Sequence, residues 1–486
     1  MSQSRKVKVA IDLTPLRPGG ENGGAKTLVV TLLREFAQCR SAEFEYLLIA
    51  ETWNYEELRS FEAPNLRCCL QADLPNAPDL SIAEPTEARE VAAVSPPPVR
   101  PAHPFKARLK GSLKRGLKRS LGLVMRLAQP ILRQENRVVQ RLKSATKRRI
   151  LALPSGAELL PTPPQTPVDL VPQPLPTTRI LKDRHHIDLL FCPFSSPHLA
   201  EEGLPLVAIA YDLQHLDLPF FFTPEEALHR NQFLRNLVDR ADRIICISNF
   251  TKQSFIQHLK AEASQLIAVP ICIHERLTPQ ADEVVAERLN KLGLQVNQYL
   301  YFPANFWPHK NHRMLLTAYS IYRHRYPDQA LDLVFTGALE GPQAELQEVV
   351  DLLDYTEYVH FLGFLDEVDL VALWQGCRGL IFPSLYEGFG IPVLEAMWFD
   401  KAVACSTVGS LPEVGGEAVI YFDPRKPEEI ATAMEQLTSD TELTQSLRAV
   451  AQDWVRHFGQ RAMAEQYLAI FDEVLNAVHT PTGSAS

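Results

Sequence analysis

The chain is 486 residues long, 46% hydrophobic and 22% charged, which is enough for two or three domains with cores of their own. Its formal charge of -9 is unevenly spread: residues 105–150 hold 15 Lys or Arg and the single acid Glu135, leaving 34 basic and 57 acidic residues elsewhere. That split excludes a uniformly basic nucleic-acid protein, and eight scattered cysteines without a C-x-x-C pair suggest neither a zinc knuckle nor a disulfide scaffold.

The N-terminus passes directly into a strand-like run, Lys6–Leu13, with no apolar stretch suited to a signal peptide, and nowhere do about 18 uncharged apolar residues run together. The expectation is a cytoplasmic protein in a reducing compartment. A Gly-rich loop follows, then a helix over about 25–38 and the apolar runs EYLLIA and LRCCLQ, a βαβ order. Two proline-rich stretches, 75–104 and 154–176, then enclose the basic segment, which reads as linker, insert, linker. The alternation resumes with IDLLFCP, LVAIAYD, a helix near 225–239, RIICIS, a helix near 250–259 and LIAVPI.

From Tyr299 a second series begins: YLYFPA, helix 312–325, LDLVFTG, helix 342–354, YVHFLG, helix 366–375, GLIFPS, helix 391–398, AVACS and AVIYF. Short apolar strands separated by helices predict parallel sheets covered on both faces. The fold class is therefore α/β, two doubly wound Rossmann-like domains facing across a cleft, with a long Pro-rich basic insertion in the first. The expected divisions are 1–75 with 178–273, the insertion 76–177, the second domain 274–459 with 274–298 as its connection, a last helix 460–478 packing back on the first domain, and a tail 479–486. In such sheets ligands collect beyond the carboxyl ends of the strands.

The most informative loop follows GLIFPS: Pro383-Ser-Leu-Tyr-Glu387-Gly388-Phe389-Gly390-Ile-Pro392-Val-Leu-Glu395. Two glycines let backbone amides approach a ligand, and Pro392 suits the first turn of a helix whose free N–H groups attract an anion. Glu387 and Glu395 would flank the same pocket and accept hydroxyl hydrogen bonds; the spacing also suits a plain glycine turn with Glu387 as a cap. This segment resembles the E-x7-E motif of the retaining glycosyltransferases of family 4, and the longer match F-P-S-x-x-E-G-F-G-x-P-x-L-E-A is specific. The similarity covers most of 6–75 and 178–475. The resemblance implies the GT-B fold, a nucleotide-diphosphate sugar as donor substrate and no cofactor. It places Glu387 on the transferred sugar, Glu395 on the ribose, and the amides of Gly388, Phe389 and Gly390 on sugar and diphosphate.

A second cluster is Tyr301-Phe-Pro-Ala-Asn305-Phe-Trp-Pro-His309-Lys310-Asn311-His312. Lys310 near a helix N-terminus supplies positive charge for a departing diphosphate. The resemblance implies a phosphate loop with an Arg about five residues before the Lys; here that position is Asn305, which leaves Lys310 as the strong cation with His309 or a distant Arg as substitutes. A third cluster, Tyr211-Asp212-Leu-Gln-His215, has Tyr-Asp where the family shows His-Asp, and His215 is the candidate for contact with an acceptor or sugar hydroxyl. Gly20, Gly23 and Gly24 after the first strand permit close backbone approach to diphosphate or acceptor, or form a flexible turn. Gly337 and Leu365, at later strand ends, would shape the nucleobase pocket.

No D-x-D stands in a loop suited to metal-diphosphate binding, so no metal is expected. The resemblance implies retained anomeric configuration, with the nucleotide leaving on the face that the acceptor attacks. It points to a hexose donor, mannosyl from GDP-mannose by preference with glucose, galactose and rhamnose open, and to a glycan or lipid-linked acceptor. The alternative is a non-catalytic nucleotide-sugar-binding or membrane-associated scaffold. In the insert, Leu109, Leu113, Leu117 and Leu121 stand four apart beside Lys106, Lys110, Lys114 and Lys118, the pattern of a basic amphipathic helix. Such a helix suits an anionic membrane surface, at about 1 kcal/mol per basic residue, and a peripheral position on the inner face. A solvated tract or an arm on the acidic body fits the same composition. Nucleic acid is disfavoured because aromatic stacking residues are lacking.

Overall fold

The structure is a computed structural model that describes residues 5–17, 22–75, 179–338 and 342–479. Seven strands build the first sheet: β1 Val7–Asp12, β2 Phe44–Ala50, β3 Leu66–Leu70, β4 Leu189–Cys192, β5 Leu206–Ala210, β6 Arg243–Cys246 and β7 Leu266–Ala268. Six build the second: β8 Tyr299–Pro303, β9 Asp332–Thr336, β10 Val359–Phe361, β11 Gly379–Phe382, β12 Ala402–Ser406 and β13 Ile420–Phe422. The orders are β3-β2-β1-β4-β5-β6-β7 and β10-β9-β8-β11-β12-β13, with every neighbouring pair parallel.

The strands are apolar without alternation because helices cover both faces; all five residues of β5 and of β12 are buried. Each sheet reverses its order once, between β1 and β4 and between β8 and β11. At such a point the crossover helices leave on opposite faces and open a crevice at the carboxyl edge. The loop after β8 carries Lys310 and the loop after β11 carries Glu387, so sheet order makes two segments far apart in sequence into neighbours. This two-sheet α/β architecture is the expected fold class.

Besides the short helices Tyr55–Arg59, Gln214–Asp217 and Leu411–Gly415, two longer ones lie outside the strand–helix series read from the sequence. Helix Asp282–Lys291 occupies part of the segment read as a connection, and helix Pro427–Ser439 follows the last strand. Helix Gln460–His479 returns to the first sheet domain: Phe471 packs 5.2 Å from Phe191 and 6.0 Å from Phe36, and Tyr467 lies 5.9 Å from Phe191. Ion pairs Arg40–Asp472 and Arg243–Glu473, each at 2.6 Å, flank that contact. The basic insertion, its leucine and lysine stripes and Gly20 lie outside the described residues. No described helix is long and apolar enough to cross a membrane.

Candidate active site

Beyond the carboxyl ends of both sheets lies a cavity of about 640 Å³, inside the range of roughly 300–1,000 Å³ usual for small-molecule sites. Its walls include Gly24, Tyr211 and Asp212 from the first domain and Asn305, Lys310, Gly337, Leu365, Glu387, Gly388, Phe389, Gly390 and Glu395 from the second. Gly363 and the 76% exposed ring of Phe364 adjoin Leu365 on the same wall.

The Glu387 loop is fixed from below. Ser410 donates from its backbone N and from Oγ to the Glu387 carbonyl, at 3.2 and 3.1 Å, and from Oγ to the Phe389 carbonyl at 2.7 Å. Gly390, at φ 104°, turns the chain into helix Ile391–Trp398, whose first turn holds Pro392 and whose buried face holds Glu395. The Lys310 loop is tied to it: Asn311 Nδ2 donates to the carbonyls of Pro383 and Pro424, at 3.0 and 2.8 Å, and Leu385 N donates to the His309 carbonyl at 2.7 Å. These bonds set Lys310 Nζ 2.7 Å from Glu387 Oε1, with both side chains largely buried.

Glu395 is paired as well. Arg276 Nη2 donates to Glu395 Oε1 at 2.6 Å, and Arg276 belongs to the cavity wall. It sits in the turn His274–Arg276 that leads into the second domain, and Trp398 Nε1 donates to the Leu277 carbonyl at 2.9 Å to fasten that turn to the helix of Glu395. Lys310 and Arg276 are the cationic residues among those lining the cavity. Arg276 stands in no motif and lies 119 positions from its partner, so only the fold reveals it. A lone arginine in a connecting turn carries no periodicity or spacing by which to find it.

The remaining candidates are placed as follows. Asn305 reaches the cavity, and its Oδ1 accepts Ala338 N at 2.9 Å, so it fastens the loop after β9. His309 and His312 flank Lys310, and burial with that neighbouring charge lowers both to about 3, so each is neutral near pH 7. His215, expected to face the cleft, is 1% exposed and does not line the cavity. Helix Gln214–Asp217 turns its ring against Phe222 at 6.3 Å, and burial, reinforced by Arg230, lowers it to about 4. Gly23 opens helix Gly23–Gln38 without lining the cavity.

The domains touch at the loop of Glu387. Ser248 Oγ donates to the Gly388 carbonyl at 2.7 Å, Tyr386 OH accepts Leu213 N at 3.2 Å, and a Cβ on Gly388 would stand 2.4 Å from the Tyr211 carbonyl oxygen. The missing side chain at Gly388 is what lets the two domains approach this closely.

Residues 297–440 match the family model of the glycosyl transferases group 1. O-antigen chain mannosyltransferase B of Escherichia coli is 28% identical over 251 residues, 51% of this chain and 64% of that protein. The serotype-specific mannosyltransferase WbdA of Escherichia coli is 30% identical over 222 residues, 44% of this chain and 26% of that protein. The matches thus span less than two thirds of these relatives. Among solved structures, Anabaena HepE in complex with UDP and glucose superposes with a TM-score of 0.60 at 16% identity, over 96% of this chain and 100% of HepE. Sucrose-phosphate synthase from Thermosynechococcus elongatus gives 0.58 at 15% identity, over 97% and 100%. With its two switch-point crevices opposed, the chain has the GT-B fold, and residues 297–440 within it are similar to the glycosyl transferases group 1.

Proposed function

We propose that this chain is a retaining glycosyltransferase of the family 4 type that moves a hexose from a nucleotide-diphosphate sugar to a glycan or lipid-linked acceptor. The observation that carries the reading is the pair Lys310–Glu387 at 2.7 Å inside the interdomain cavity, joined to Glu395 eight positions on. Lys310 would meet the diphosphate, Glu387 the hydroxyls of the transferred sugar and Glu395 the ribose. The amides of Gly388, Phe389 and Gly390 would complete the cradle, while the wall Gly337, Gly363, Phe364 and Leu365 would take the base. Gly24 and Asp212 stand on the acceptor side.

The chemistry asks for charge placement more than for a protein nucleophile. The bond from the anomeric carbon to the phosphate oxygen breaks, the acceptor oxygen bonds to that carbon on the same face, and the departing phosphate oxygen takes the acceptor proton. Lys310 stabilises the developing dianion, so the route we propose needs no metal. Residues of both domains around the cavity hold donor and acceptor together and exclude water.

A mannosyl donor is the preferred choice, in line with the two Escherichia coli mannosyltransferases named above; HepE, solved with UDP and glucose, supports a nucleotide-sugar donor in general. The basic insertion would bring the enzyme to an anionic membrane surface where a lipid-linked acceptor resides. The deciding assay incubates the chain with GDP- and UDP-hexoses and glycan or lipid-linked acceptors, following product and anomeric configuration by NMR. Glu387→Ala and Lys310→Ala should each lower turnover by about a hundredfold or more with the fold intact. Near-native turnover in both variants would sink the site assignment. Donor binding without transfer to any acceptor would favour the scaffold reading.

A further inference from the structure

We infer that Arg276 is the second diphosphate-binding cation of this site, doing from the interdomain turn what an arginine at position 305 would otherwise do. The inference rests on the nucleotide-sugar reading above and names the residue that completes it. Asn305 cannot supply charge, and its side-chain oxygen is already engaged by Ala338 N at 2.9 Å. His309 is neutral, because burial and the adjacent Lys310 both oppose its protonation, and it does not line the cavity. Among the described lining residues the only cation besides Lys310 is Arg276.

The guanidinium is held in a usable way. Nη1 donates to the Ile273 carbonyl at 2.8 Å and Nη2 to Glu395 Oε1 at 2.6 Å, which spends two of its N–H donors and leaves three for a ligand. Its side chain is 18% exposed and that of Glu395 is 6% exposed, so the pair faces a restricted opening and is screened less than a surface pair. The turn that bears it is fixed to helix Ile391–Trp398 at both ends: His274 packs 5.3 Å from the Trp398 ring, and Trp398 Nε1 donates to the Leu277 carbonyl. The cation therefore travels with the carboxylate.

The described cavity wall holds Asp212, Asp366, Glu367, Glu387 and Glu395, so a diphosphate entering it depends on direct contact with the cations on that wall, Lys310 and Arg276. With Glu395 on the ribose and Arg276 on the adjoining phosphate, one ion pair reads both halves of a nucleoside diphosphate. A fork-shaped guanidinium suits that task better than an ammonium, since it can bond a carboxylate and a phosphate at once.

The test measures binding of UDP and GDP, and of uridine and guanosine, to the intact chain by calorimetry. Arg276→Ala should weaken whichever nucleoside diphosphate binds by about tenfold or more and leave the matching nucleoside within about twofold. Arg276→Lys should fall between. Asn305→Arg added to Arg276→Ala should restore part of the lost affinity, a rescue that a merely structural partner of Glu395 would not give. Equal losses for nucleoside and diphosphate, or absence of rescue with the double variant folded by circular dichroism, would overturn the assignment. If the unsubstituted chain binds diphosphate no better than nucleoside, the diphosphate reading of the whole cavity fails, and this assignment with it.

Discussion

His274 and His312 are each almost wholly buried, and each has one ring nitrogen without a hydrogen-bond partner. Burial, with Arg276 beside the first and Lys310 beside the second, lowers them to about 4 and about 3. A histidine whose pKa falls on folding binds its proton in the unfolded chain first. Stability is therefore whole above pH 6.5 and is lost as pH drops toward those folded values, at about 1.4 kcal/mol per pH unit for each group. His312 lies among Phe302, Phe306 and Phe335 at 4.7, 4.8 and 5.3 Å, so His312→Leu should keep the packing and remove one proton's share of the slope. Urea unfolding at pH 7, 6 and 5 would show it, and an unchanged slope would contradict the assignment. The same contrast explains which site residues the sequence exposes. Lys310 and Glu387 stand in loops directly after apolar strands and Glu395 in the helix that follows the second loop, where local chemistry suffices to find them. The burial of His215 and the pairing of Arg276 with Glu395 depend on what the fold brings near, and nothing local encodes that.

Helix Asn249–Ser254 begins at the domain boundary, and its N-terminal groups are capped from the other domain. Glu413 Oε1 accepts Asn249 N and Nδ2 at 2.8 and 3.0 Å, and Oε2 accepts Phe250 N at 3.2 Å. A carboxylate at a helix N-terminus is favoured by the exposed N–H groups there, and a net contribution of about 1 kcal/mol shifts an open–closed equilibrium about fivefold. Glu413→Ala should therefore raise the fraction of open molecules, seen as a larger radius of gyration in small-angle scattering, while the thermal midpoint of each domain stays in place. An identical scattering curve would mean that the other contacts hold the closure alone. At this scale the strands were legible because each is a short apolar run between helices. Helix Asp282–Lys291 was not, since Val285 and Leu289 are its only buried side chains and two apolar positions make a thin stripe. Helix Pro427–Ser439 buries Ile430, Met434 and Leu437 on one stripe, but it follows β13, where no further strand marks the alternation.

At the scale of the molecule one apolar cluster runs from the first sheet through Ile271, Ile273 and Leu277 into the second and on to Tyr467 and Phe471 of the last helix, so the two domains share a core at their junction. The cleft they form is rich in carboxylates, while the +14 segment of residues 105–150 falls in the insertion between β3 and β4, outside the described residues. A stretch with this composition, basic and carrying a leucine stripe, suits an anionic surface. If it binds an anionic surface by charge together with its leucine stripe, two levers should act separately: salt weakens the electrostatic part within a Debye length of about 8 Å, and removal of the leucines weakens the apolar part. Deleting 105–150 should abolish co-sedimentation with phosphatidylglycerol vesicles, and replacing Leu109, Leu113, Leu117 and Leu121 by Ser should lower it at all salt concentrations. Transfer to a soluble acceptor should be unchanged in both variants. Vesicle binding that survives the deletion would place any membrane contact on the body of the protein. Lost transfer to the soluble acceptor would show that the insertion belongs to the chemistry after all.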